Sequence, residues 1–215
     1  TVPAMRLDDV VSRLALGEID WLKIDSQGTD LRLFNSLADG IRTRVLALDV
    51  EPGLIDAYRG EDLFSETHRE LLQNGFWLSN LRTRGAVRMR SSTFDQVSQL
   101  ATDITQDRIA KSVRSSPAWV EARYLRTTEW LRQNDLPKRG YALLWTFAML
   151  DRQFGFALDL AMEWDNLFGD GDTPRLMRTE ALLKIRRSRG YVFAWLGSLV
   201  PPRFKRSLKR LIHDR

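Results

Sequence analysis

Two apolar runs in the first fifty or so residues end in carboxylates. Ile19-Asp20-Trp21-Leu22-Lys23-Ile24 leads into Asp25, and Arg44-Val45-Leu46-Ala47-Leu48 leads into Asp49, Val50 and Glu51. Turn-forming residues follow each, Ser26-Gln27-Gly28-Thr29 in one case and Pro52-Gly53 in the other, so each reads as a strand with an acidic carboxyl end. In an open α/β sheet, ligands bind beyond the carboxyl ends of the strands. A carboxylate there accepts a proton from a hydroxyl nucleophile, binds an organic cation such as a sulfonium or an amine, or holds a metal. An architectural role for Asp25 stands beside these, since Asp commonly starts a turn and caps the helix after it. Lys23, two residues before Asp25, lies on the same side of the strand. It is placed to pair with a carboxylate or to keep its ammonium in solvent.

The elements that must position these residues alternate strand and helix over about the first ninety positions, the pattern of a mostly parallel sheet with crossover helices. Val2 to Arg6 suits a short strand. Leu7-Asp8-Asp9 supplies a helix cap, and that helix runs to about Leu16 before Gly17. Further helices are expected from about Asp30 to Ala38 and from Leu63 to Gln73, the latter closed by Asn74-Gly75. Phe76 to Leu81 and Ala86 to Arg90 flank a short polar segment with Gly85 and predict an antiparallel hairpin. After Ser92 the spacing turns helical, at Phe94–Ile104, Trp119–Gln133, Tyr141–Phe168 and Pro174–Arg187, with no strand expected. Tyr141 to Trp164 is apolar nearly all round, as in a buried helix or a helical pair broken near Gly155. The expected organisation is therefore α/β over residues 1–92 and all-helical over residues 93–215.

The residues from Ile19 to Asp30 resemble the signature of the FkbM family of methyltransferases. There an Asp-x-Leu-Lys-Ile-Asp strand runs into an acidic or amide residue, a glycine and an acidic helix start. The resemblance continues through Val50-Glu51, Tyr58-Arg59-Gly60-Glu61-Asp62-Leu63-Phe64 and Leu72-Gln73-Asn74-Gly75-Phe76-Trp77-Leu78, and covers roughly the first ninety residues. Departures are Ser26, where the family usually has an apolar residue, and Glu61-Asp62, where it often has Gln-Pro. The resemblance implies a class I, Rossmann-like methyltransferase sheet with Ile19 opening its fourth strand. It implies S-adenosylmethionine as donor and a hydroxyl on a glycan or other small molecule as acceptor. It matches Asp25 to the strand-end aspartate near the methyl donor, and Lys23, Gln27, Gly28 and Glu51 to neighbouring cleft positions; with the strand-end Asp49 added, Asp25 and Lys23 are expected to be catalytic, Gln27 and Gly28 to bind the cofactor, and Asp49 and Glu51 to bind the substrate. The family's glycine-rich cofactor loop has no counterpart here. Gly169-Asp170-Gly171-Asp172 falls between helical segments and reads as a turn. The chain is thus expected to be the C-terminal half of a catalytic domain, lacking its N-terminal strands and inactive alone.

Composition narrows the alternatives. Among 215 residues there is no cysteine, which excludes disulfides, thiolate metal sites and a catalytic thiol. His68 and His213 are far apart and offer little to a metal cluster or a catalytic triad, so no metal is expected. There is no secretory signal pattern and no membrane-spanning apolar run, and a cytoplasmic location is expected. The net charge of +5 is concentrated after Pro174. Arg203 to Ile212 forms a basic amphipathic stretch beside the apolar run Tyr191–Val200, suited to peripheral membrane contact. A core helix followed by a solvated basic tail is the favoured reading of the same residues. No nucleic-acid-reading motif accompanies the charge, and no nucleic acid partner is expected. A different class of function is a non-catalytic module that binds a protein or an anionic membrane through its C-terminal region. A half-sheet with an open inner edge also predicts a homodimer.

Overall fold

The two acidic-ended runs form the parallel strands β1 (Trp21–Lys23) and β2 (Ala47–Val50), with Trp21 opposite Ala47 and Lys23 opposite Asp49. A computed structural model of the chain describes residues 5–169 and 171–187. α1 (Leu7–Arg13) precedes β1, and α2 (Asp30–Asn35) and α3 (Asp39–Arg42) connect β1 to β2. α4 (Phe64–Gln73) leads into β3 (Phe76–Val87), and α5 (Ser91–Leu100) and α6 (Gln106–Ser112) lead on to β4 (Ser115–Arg126). α7 (Thr128–Gln133), α8 (Lys138–Leu150), α9 (Phe154–Phe168) and α10 (Asp172–Arg187) follow.

The sheet order is β1-β2-β4-β3, with β4 antiparallel to both of its neighbours. This corrects two expectations. Residues 76–90 do not fold back on themselves: β3 is one continuous strand, and its partner is β4. Residues 93–215 are not all helical, because β4 lies where Trp119 to Gln133 was expected to be helix. The sheet takes strands from both sides of the boundary expected after Ser92, and the compact units divide between Phe147 and Ala148.

Alternation along the strands sorts the side chains. Leu48, Val50, Phe76, Val120, Ala122 and Tyr124 enter a core with Phe34, Leu37 and Leu71 from the helices, and Leu22 packs against it. The opposite face carries Trp21, Lys23, Asp49, Glu51 and Arg123, joined by polar contacts in two sets, Trp21–Asp49–Arg123 and Lys23–Glu51. α1 begins without the expected side-chain cap. Asp8 Oδ1 instead accepts from the Ala38 amide at 2.8 Å, tying α1 to the α2–α3 turn.

A buried guanidinium pins the amino end of β2. Arg126 donates to the carbonyls of Val45 (2.8 Å), Arg42 (2.7 Å) and Asn74, and lies between the rings of Phe76 and Trp130. Gly75 is required beside it: its φ is +72°, and a Cβ there would stand 2.3 Å from the Trp130 ring.

The second unit contains the helical pair α9 and α10. The break expected near Gly155 falls at Asp151–Gln153, just before α9. Arg178 of α10 pairs with Asp165 of α9 at 2.8 Å, and Trp164 meets Phe168 edge-on. The apolar run Tyr191–Val200 and the basic stretch Arg203–Ile212 lie outside the described residues. No described helix is long and apolar enough to cross a membrane.

Candidate functional site

A cleft opens at the carboxyl ends of β1 and β2, and a buried carboxylate builds it. Asp30, 2% exposed, opens α2. Its Oδ1 accepts from the Ser26 amide at 2.9 Å and the Ser26 hydroxyl at 2.6 Å, while Oδ2 accepts from the Glu51 amide at 2.7 Å. One side chain thereby joins the β1–α2 turn to the end of β2 and fixes where Asp25 and Glu51 stand. Ser26, a departure from the family signature, supplies two of these donors.

The adjoining loop is held as firmly. Gly28 has φ +105°, and a Cβ on it would lie 2.7 Å from Glu61 Cβ. Its carbonyl accepts from the Asp62 amide at 2.9 Å and from Arg32 at 2.8 Å. Asp62 also pairs with the Arg32 guanidinium at 2.9 Å and accepts from the Arg32 amide in the first turn of α2. The second departure from the signature, Glu61-Asp62, thus packs and caps the loop. Gly53 admits Glu61 from the other side, since a Cβ there would meet Glu61 Oε1 at 2.6 Å.

The residues singled out from sequence separate into groups. Lys23 and Glu51 come together, Nζ to Oε1 3.5 Å, which answers what Lys23 pairs with. Asp25 is exposed and accepts from Gln27 Nε2 at 2.9 Å, and Gln27 Oε1 accepts from the Tyr58 hydroxyl at 2.9 Å. Gln27 sits at φ +58°, in the left-handed region that few non-glycine residues adopt. Asp49 lines a hollow over the sheet face beside Lys23 and Glu51, and its oxygens are taken by other partners. Both of its oxygens take the Arg123 guanidinium, at 2.7 and 3.0 Å, and Oδ2 also accepts from Trp21 Nε1 at 3.2 Å. Arg123 in turn stacks 4.7 Å above the Trp21 ring. Asp49 fastens β1, β2 and β4 together.

Glu51 occupies the centre. It lines a hollow of about 160 Å³ over the sheet face, with Lys23, Arg82, Glu121 and Arg123. It also lines a second hollow of about 270 Å³ beyond the strand ends, with Gln27, Gly28, Tyr58 and Trp119. Burial, and then Asp25 nearby, raise its carboxyl above the ordinary glutamate value, against the opposing pull of Lys23. A carboxylate held in this way is suited to accepting a proton. His68 has no part in the cleft: its Nδ1 meets the Tyr124 hydroxyl at 3.1 Å. Among the described residues, no group of three or more His, Asp or Glu side chains is placed to hold a metal ion.

Residues 1–78 match the methyltransferase FkbM domain. The matched stretch holds Lys23, Asp25, Gln27, Gly28, Asp30, Asp49, Glu51 and Tyr58, and it ends just inside β3. Searches of curated proteins and of solved structures gave no match. Arg123, Glu121 and Trp119 reach the cleft from β4, beyond the FkbM segment. Sequence reasoning gave Asp30, Trp119 and Arg123 no role. For Asp30 the signal was present, as the acidic helix start of the quoted signature.

Methyltransferase domains generally draw on S-adenosylmethionine, so the fit of that group is a question for these side chains. Asp25, Glu51 and the Tyr58 hydroxyl suit the cationic, methyl-bearing end. Gly28 lines the hollow beyond the strand ends, and Glu61 fills the space its missing Cβ leaves.

Proposed function

We propose that the FkbM segment and β4 form the acceptor side of an S-adenosylmethionine-dependent methyltransferase site that methylates a hydroxyl oxygen on a glycan or other small molecule. The observation that carries this reading is Glu51, fixed through its amide by Asp30, paired with Lys23 and close enough to Asp25 to feel its charge, at strand ends within the residues that match the family. When bound, S-adenosylmethionine supplies a methyl group on a sulfonium. Asp25 and Glu51 face that cation with negative charge, and Gln27 and Tyr58 hold Asp25 in position. Glu51 takes the hydroxyl proton of the acceptor on a carboxylate oxygen. Lys23 orients Glu51 and steadies its charge before the proton arrives. Alignment of the acceptor oxygen with the methyl carbon supplies much of the rate, so the rigidity conferred by Asp30 is part of the chemistry. Among the described residues, no glycine-rich turn follows a strand. The nucleotide end of the donor is therefore assigned to residues beyond this chain's cleft.

The test compares affinities of the complete gene product for S-adenosylmethionine and for S-adenosylhomocysteine, which lacks the cationic sulfur. Asp25→Asn with Glu51→Gln is expected to shrink the preference for the sulfonium about fivefold, the scale of partly exposed charge pairs. A preference unchanged in the double variant would remove both carboxylates from the donor site.

A further inference from the structure

The second unit has a groove of about 330 Å³ lined by Met149 at the end of α8, Arg152 in the following turn, Phe154 opening α9, and Lys184 and Arg187 near the end of α10. Three of its five lining side chains are cations and none is acidic. None of the three has a carboxylate within ion-pair distance among the described residues, whereas Arg178 on the same helix is paired at 2.8 Å. Three like charges around one hollow repel one another, and an entering anion relieves that repulsion. The amino end of the 15-residue helix α9 adds partial positive charge at Phe154. Arg152 has φ +63°, a left-handed conformation in which glycine or asparagine is ordinary. An arginine kept at such a position places a guanidinium where the chain turns beside the groove. Met149 and Phe154 are half-buried and give the groove an apolar wall.

We propose that this groove binds a phosphate group carried on an apolar chain, as in the headgroup region of an anionic phospholipid. Guanidinium forks match phosphate oxygens in pairs, and Lys184 adds a point charge. Met149 and Phe154 receive the first carbons of the attached chain. The site is independent of the methyl-transfer cleft, which lies in the other compact unit.

The test uses the full chain and soluble dihexanoyl phosphatidic acid, below its micelle-forming concentration, in isothermal titration. Glycerol 3-phosphate, dihexanoyl phosphatidylcholine and a short RNA are titrated beside it. Phosphatidic acid is expected to bind at least tenfold more tightly than glycerol 3-phosphate, more weakly as salt is raised, and phosphatidylcholine not measurably. The triple variant Arg152→Gln, Lys184→Gln, Arg187→Gln, with unchanged circular dichroism, is expected to lose at least tenfold. Phe154→Ser is expected to weaken phosphatidic acid and leave glycerol 3-phosphate as it was. Equal affinity for glycerol 3-phosphate would overturn the apolar part. Binding unchanged in the triple variant would move it to the basic residues after Arg187. Absence of phosphatidic acid binding, or tighter binding of RNA, would overturn the proposal.

Discussion

Asp30 serves three donors on two loops while almost wholly buried, and so it governs both the stability and the shape of the cleft. Replacing it with Ala strands the amides of Ser26 and Glu51 without acceptors. Such a loss costs about 3 kcal/mol, and urea denaturation of Asp30→Ala is expected to show it. A change below about 1 kcal/mol would mean that water replaces the carboxylate freely. Glu51 has the opposite sign. Its carboxyl is raised in the fold, first by burial and then by Asp25, so the folded chain holds that proton more tightly than the unfolded chain. Stability from this group is present at low pH and declines as pH rises from the ordinary glutamate value through the raised one. Glu51→Gln is therefore expected to raise the melting temperature at pH 7 relative to wild type and to have little effect at pH 4. An equal shift at both values would contradict the assignment. The carboxylates of this cleft were legible because strand ends, turn residues and family signature coincide in one stretch. The engagement of Asp49 was not, since its partner Arg123 comes from a distant strand with no sequence link to β2.

Among the elements, β4 was hardest to read. Ala118, Val120, Ala122 and Tyr124 alternate inward as a strand requires, yet Trp119 and Leu125 interleave them, and the mixture also fits a helix. Pro117 argues against a strand interior because it lacks an amide donor. The register shift between Arg84 and Gly85 accommodates it, setting Gly85 opposite Pro117. Gly85 itself suggested a turn, whereas it lets β3 pass close to Ser115, whose Oγ would lie 2.7 Å from an added Cβ. β1, β2 and α4 were readable because apolar runs and terminal caps agree there. The anchoring of β4 makes Arg126 the element-scale test. Arg126→Met keeps much of the side-chain volume but leaves the carbonyls of Arg42, Val45 and Asn74 without this donor. A loss of about 3 kcal/mol in chemical denaturation is expected. A variant as stable as wild type would show that packing between Phe76 and Trp130, and not hydrogen bonding, holds this corner.

At the scale of the whole molecule, the sheet ends on β1, whose outer edge has no strand partner among the described residues. A free edge offers unpaired amides and carbonyls to another chain. Sedimentation equilibrium of this chain is expected to show self-association that rises with concentration, and a monodisperse monomer across the range would contradict it. Calorimetric titration of S-adenosylmethionine into the complete gene product, beside its Asp25→Asn, Glu51→Gln variant, tests most directly whether the cleft at Asp25 and Glu51 belongs to a methyltransferase. Binding by the wild type, about fivefold weaker in the variant, is the predicted result. Absence of binding by the wild type would contradict a role in methyl transfer.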